Sequence, residues 1–269
     1  MPAIDPKPRV RIVTAQKAQR IAEPGTASPA IETRSYFANA SDTLQLQVHE
    51  LAAGACWAIA DAPTLHAIYI WHGAVIAAGV RLDERSSALV ERGASLSMTA
   101  GMQGAHLLAF SAPQSDAQSD AQSVAQSAGG AVHLLPSAQV PRNTDLDGTG
   151  RTGGSLHADA SFPTCRLWLH ENDFYQADHE TAVHSHSEDE IIFIRSGQIR
   201  LGNRLYESGT AIAIAAHTKY GFRAGPEGLG FVNFRSRSPT YSAADGSQTL
   251  DEAALWRSLT GPPHYLAAP

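Results

Sequence analysis

The sequence predicts an all-β protein of two sandwich- or barrel-like units, separated by a polar tract and followed by one short helix. Three observations carry that prediction. Short apolar runs with a period of two recur through both halves of the 269 residues, set apart by Gly-rich turns. A stretch of Ser, Asp, Ala and Gln without an apolar face divides the halves. The second half also carries His184, His186 and Glu190 just ahead of Ile191-Ile-Phe-Ile194, ligand-type side chains set beside strand composition.

Taken in order, residues 1–40 are rich in proline and hold one strand-like piece, Val10–Val13, and they read as an arm lying across the body or onto a partner subunit. Leu44, Leu46 and Val48 then alternate with Gln45, Gln47 and His49, which opens the first unit. Ala67–Trp71, Ala74–Ala77 and Ala105–Phe110 supply further strands. Residues 113–130 form the polar near-repeat, read as a flexible linker, and 131–160 add a short strand or two and a loop. The second unit starts near Arg166–His170 and ends near Phe231–Arg235. Within it Gly197 closes one strand, Gln198–Leu201 forms the next, and Gly202-Asn203 turns the chain. Thr249-Leu-Asp-Glu252 has the form of a capping box for a helix from Leu250 to Leu259, stopped by Gly261-Pro-Pro.

His184 and His186 are two positions apart and Glu190 lies at another even offset. On one extended strand even offsets share a face, so the three side chains converge. Two imidazoles and a carboxylate with positions left open suit a non-haem Fe(II) site. Glu188 shares this parity, but only Glu190 gives the six-residue interval to Gly197. The pattern His-x-His-x3-Glu-x6-Gly resembles the first motif of the cupin family, over roughly residues 165–238. The family often has Gly six residues before the first His, where this chain has Asp178.

The family's second motif starts here at Gly209 and Ala211–Ala215, and eleven residues after Gly209, where a fourth His ligand is usual, stands Tyr220. His217 occupies a position that is usually Gly. Three readings follow: Tyr220 hydrogen-bonds the substrate or a metal-bound ligand, His217 is the fourth ligand, or His184, His186 and Glu190 alone hold the ion. The same template laid on the first unit puts Gly73 at the motif glycine, His66 at the carboxylate position, and Ala60 and Ala62 at the two His positions. Gly93 then starts the second motif and Gly104 takes the fourth place. Trp168, His170, Tyr175 and Asn233 are candidates to steady the ligands from behind.

The resemblance therefore implies two double-stranded β-helix (cupin jelly-roll) domains and a short C-terminal helix, with one ion per chain. The expected division is an arm (1–40), a degenerate cupin without metal (41–112), a linker and loop (113–160), a metal-binding cupin (161–240), and a helix with tail (241–269). Cupins of this kind imply an Fe(II)-dependent dioxygenase that takes O2 and cleaves a small phenolic or enolisable compound, with Tyr220 as the catalytic hydrogen-bond donor. Mn, Ni or Zn in the same site implies an O2-independent isomerase, lyase or decarboxylase, and a third reading is a small-molecule binder without turnover.

A formal charge of −6 with scattered Lys and Arg gives no footprint for nucleic acid. No apolar run reaches 18 residues and no signal-peptide core precedes the first unit, so a cytoplasmic protein without membrane contact is expected. Cys56 and Cys165 lack redox or metal spacing and read as small core residues. A homo-oligomer, in the simplest case a homodimer, is the expected assembly.

Overall fold

The computed structural model describes residues 9–21, 30–39, 42–112, 130–159 and 164–268. Its elements are almost all strands. The first half holds β1 (Val10–Val13), β2 (Gln19–Ile21), β3 (Ile31–Phe37), β4 (Gln45–Leu51), β5 (Cys56–Ile59) and β6 (Leu65–Ala77). It closes with β7 (Val80–Asp83), β8 (Ser87–Val90) and β9 (Leu96–Ala112). The second half opens with β10 (Val132–Leu135), β11 (Arg142–Asn143), β12 (Thr152–Ala158), β13 (Trp168–Phe174) and β14 (His184–His186). There follow β15 (Glu190–Leu201), β16 (Arg204–Glu207), β17 (Ala211–Ile214), β18 (Arg223–Arg235), β19 (Thr240–Ala243) and β20 (Thr249–Asp251). Helix α1 (Glu252–Thr260) and β21 (Leu266–Ala267) end the chain.

The two halves repeat one antiparallel plan. β6 pairs with β9 and bulges at Ile70/His72 and Gly73/Val75; β15 pairs with β18 and bulges at Ile194/Ser196 and Gly197/Ile199. Gly197 follows Gly73 by 124 positions (197 − 73), and Gly228 follows Gly104 by the same interval. In each pair the long strands bend, and a Cβ on Gly73 or Gly197 would stand 2.3 Å from the carbonyl oxygen of Gly104 or Gly228. Only glycine, with a positive φ of 74° or 65°, fits that approach. The expected strand break at Gly197 is thus a bulge inside one long strand, because the ladder resumes past it. In the first half the runs 67–71 and 74–77 likewise belong to one strand.

The interval also corrects the template in the first half. His66 pairs with Val90 on β8 as Glu190 pairs with Ile214 on β17, so β8 is the counterpart of β17. The second motif there starts at Arg85, not Gly93, and Leu96 rather than Gly104 stands opposite Tyr220 in the repeat.

Each half borrows a strand from the other. β1 pairs with β17, Val10 opposite Ile214, and so completes the second sheet, while β2 and β3 stay in the first. β10 pairs with β8, Val132 opposite Val90, and completes the first. The loop expected before residue 160 includes β12, all seven residues of which are buried. Residues 113–129, where the linker is expected, lie outside the described residues.

Between the halves lies an apolar layer in which Phe110 stacks on Phe234, centroids 5.0 Å apart, with Leu46, Tyr69, Phe193 and Val232 around them. Beside it runs a buried polar seam. Glu171, fully buried, accepts from Tyr69 Oη (2.8 Å), pairs with Arg85 Nε (2.8 Å) and Arg195 Nε (2.9 Å), and contacts His157 Nε2 (3.1 Å). Burial alone would raise this carboxyl, but the His157 hydrogen bond and the two guanidinium groups outweigh it and hold it at about 2.

At the carboxyl end, α1 begins one residue after Asp251, whose side chain accepts from the N–H of Ala253 and Ala254. Thr249 lies on β20, so the capping box does not form; Gly261, at a φ of 81°, ends the helix as expected. Cys165 is buried, but Cys56 is exposed rather than part of the core, because it lies on an outward position of the edge strand β5.

Candidate functional site

The site lies at one mouth of the second barrel. β14 places His184 and His186 on a single buried face with Ser185 between them facing out, as the period of two requires. β14 belongs to a separate three-stranded sheet with β19 and β20, His184 opposite Ala243 and His186 opposite Tyr241. On its other side the backbone of His184 exchanges two 2.9 Å hydrogen bonds with Tyr220. The four rings therefore gather: His184 stacks on Tyr241 at 5.0 Å, lies 4.6 Å from Tyr220, and meets His186 edge-on at 5.0 Å.

Burial pushes both imidazoles down from the ordinary range, so they are neutral at pH 7. His184 Nδ1 lies 2.7 Å from the Ala182 carbonyl. A carbonyl only accepts, so the proton is on Nδ1 and the Nε2 lone pair is free. His186 Nδ1 is buried, makes no hydrogen bond, and lies 3.5 Å from Glu252 Oε2. The Tyr220 phenol is pushed well above its usual value, by burial first and then by the neighbouring Glu190 charge, and so stays protonated.

Glu190 differs from the expectation. The chain bends at Ser187 and Glu188, so Glu190 starts a new strand, β15, in a different sheet from the two histidines. Parity counted along one continuous strand does not reach it. Its Oε2 accepts from Asn233 Nδ2 (2.7 Å) and from Arg235 Nη2 (2.6 Å). Arg235 is 1% exposed, and its Nη1 donates to Glu252 Oε2 at 2.9 Å. Glu188 instead meets Arg237 on the exposed side of the turn.

Among the described residues no group of three or more His, Cys, Asp or Glu side chains is arranged to hold a metal ion. The donor set gives the reason. Two neutral imidazoles are presented, but the carboxylate that would complete the set is bonded to a guanidinium and an amide. The residues do not fit a first-row ion in this arrangement.

His217 is exposed and has a positive φ of 59°; its backbone N–H donates to the His186 carbonyl at 2.7 Å. Asp178 is left-handed too, with a φ of 58°. Both departures from the family pattern thus sit in the conformation a glycine would take. His217 serves the turn and does not join the ring cluster.

Of the supporting candidates, Asn233 reaches Glu190, while Trp168 Nε1 donates to His170 Nδ1 at 2.7 Å beneath α1. Tyr175 is 59% exposed. Sequence reasoning missed Arg235, Glu252 and Tyr241. Arg235 ends the apolar strand β18 one step past the Ile191–Phe234 pair, and so across from Glu190, a placement that only the strand register reveals; Glu252 looked like a helix cap. Burial pushes the Glu252 carboxyl up to about 7, against the pull of Arg235.

No family model matches the chain, and no curated protein matches it. Solved structures do. The oxalate decarboxylase of Bacillus subtilis at pH 4.6 superposes with a TM-score of 0.63 at 11% identity, covering 87% of this chain and 78% of its own. The formate complex of the Lactobacillus farciminis oxalate decarboxylase gives 0.64 at 12%, covering 87% and 88%. At such identities the likeness concerns architecture: this chain folds as two antiparallel cupin jelly rolls with one short helix.

Proposed function

We propose that the second barrel is an enzyme site for a small molecule, working without O2 in a lyase or decarboxylase reaction. The observation that carries this is the asymmetry of the repeat. The mouth of the second barrel collects His184, His186 and Tyr220, whereas the corresponding positions of the first are Ala60, Ala62 and Leu96. Polar groups that are buried and only partly bonded are retained at a cost, and such costs gather at working sites.

The solved proteins of the same fold are named as oxalate decarboxylases, which favours loss of CO2 over the oxygen chemistry that the family resemblance implies. In such a step the carbon–carbon bond breaks, its electron pair stays on the remaining fragment, and a proton must reach that carbon. A protonated Tyr220 hydroxyl suits the oxygen on which negative charge collects. The free lone pair of His184 Nε2 suits taking the proton of the substrate's carboxylic acid as CO2 leaves and returning that same proton to the carbon.

Incubation of the full chain with a panel of small keto acids and dicarboxylic acids under argon, with CO2 measured, tests this reading. Turnover is expected without O2. Tyr220→Phe is expected to remain folded and slow turnover by about 2 to 4 kcal/mol of barrier, the scale of one lost donor to a developing charge. A reaction that stops when O2 is removed overturns the proposal. Saturable binding without any turnover selects the non-catalytic binder instead.

A further inference from the structure

We propose that Arg235 fills the position of the cation in the second barrel, so that the folded chain holds no resident divalent ion. Three features of the packing support a site built around a guanidinium. The group is bracketed, one terminal nitrogen on Glu190 Oε2 and the other on Glu252 Oε2. Those two carboxylates come from opposite sides, Glu190 from the barrel strand β15 and Glu252 from the first turn of α1, which lies beyond the barrel in sequence. Arg235 itself is anchored on β18, next to Phe234 in the apolar layer between the halves, and is almost wholly out of water.

A fixed positive charge in a dry pocket repels a second one, and the guanidinium cannot shed its proton to make room. An ion at the two imidazoles would also have to draw Glu190 away from both Arg235 and Asn233. The first half shows the matching absence: the position 124 residues before Arg235 (235 − 124) is Ser111, alongside Ala60 and Ala62. Arginine and histidines thus occur together in one copy and are missing together in the other. Removing the guanidinium should expose a carboxylate pair beside two neutral imidazoles, a donor set suited to a divalent ion.

The test is metal content by mass spectrometry and Co(II) titration followed by its ligand-field absorption, on the parent, Arg235→Met, the double variant Arg235→Met with Glu252→Gln, and His184→Ala. The parent is expected to carry no more metal than His184→Ala and to develop no cobalt spectrum. Arg235→Met is expected to bind about one Co(II) per chain, tetrahedral or five-coordinate. Should that variant fail to fold, the double variant, which removes both partners of one ion pair, keeps Glu190 available for the same titration. Near one equivalent of metal in the parent, lost in His184→Ala, overturns the inference. A folded arginine variant that ignores Co(II) also overturns it, since the guanidinium would then not be what excludes the ion. The readout is binding alone, so its failure is separable from failure of the proposed reaction.

Discussion

Single residues in this chain take up roles that their neighbours dictate. His49 is the plainest case: it is 5% exposed, its Nδ1 lies 2.9 Å from Thr33 Oγ1, and its ring packs against Trp57. Desolvation lowers it to about 4. The unfolded chain then binds a proton that the folded chain refuses between pH 6.5 and 4. Stability is fully present above pH 6.5 and falls as pH drops through that window, by up to about 3 kcal/mol. Urea midpoints measured across the window should decline in the parent and stay flatter in His49→Gln, which keeps a partner for Thr33. His217 makes a second case. Glycine relieves a left-handed side chain at the expense of entropy in the unfolded chain, so His217→Gly should be neutral to about 1 kcal/mol stabilising. A loss of stability in that variant would mean that the imidazole makes a contact that its exposure does not suggest.

At the level of elements, the bent strand pairs define the barrels. A methyl group at Gly197 meets the Gly228 carbonyl oxygen at 2.3 Å and also needs a φ of 65°, whereas at Gly202, φ 57°, nothing lies within 4 Å. Gly202→Ala should therefore cost about 1 kcal/mol from backbone conformation alone, and Gly197→Ala more than twice that, read from denaturant midpoints. Gly73→Ala should resemble Gly197→Ala, since its surroundings are the same. Gly73 and Gly197 were legible in the sequence because the motif spacing survives duplication, and so were β4, the Ala105–Phe110 part of β9 and the facing pair His184 and His186. Glu190 was found for its identity and misread for its geometry, because a bend of two residues breaks a parity argument without leaving a mark in composition. Arg235 and Glu252 were not legible at all. Their partnership spans 17 positions and two kinds of element, and it exists only once the helix has packed against the barrel.

The whole molecule follows from the duplication. A layer of aromatic and aliphatic side chains and a seam of paired charges join the two barrels face to face, and the direct bonds across them are specific: Tyr36 Oη to the Gly209 carbonyl, Thr43 Oγ1 to Asp189, Trp71 Nε1 to the Arg195 carbonyl. Phe110 and Phe234 occupy equivalent places in the two repeats and stack on one another. Phe234→Ala should therefore destabilise both halves together, by about 3 to 5 kcal/mol, in one cooperative transition. Two separate transitions in the melting of that variant would show that the barrels unfold independently.

The exchange of β1 and β10 has a consequence for severed chains. A protease site engineered between residues 113 and 129 would yield two fragments, each holding a strand that belongs to the other's sheet. The antiparallel β1–β17 and β10–β8 ladders would then lock the pieces like clasped hands, and the cut protein should travel as a single particle in gel filtration until denaturant is added. The two repeats, freed of their covalent link, are in effect the partners of a strand-swapped dimer.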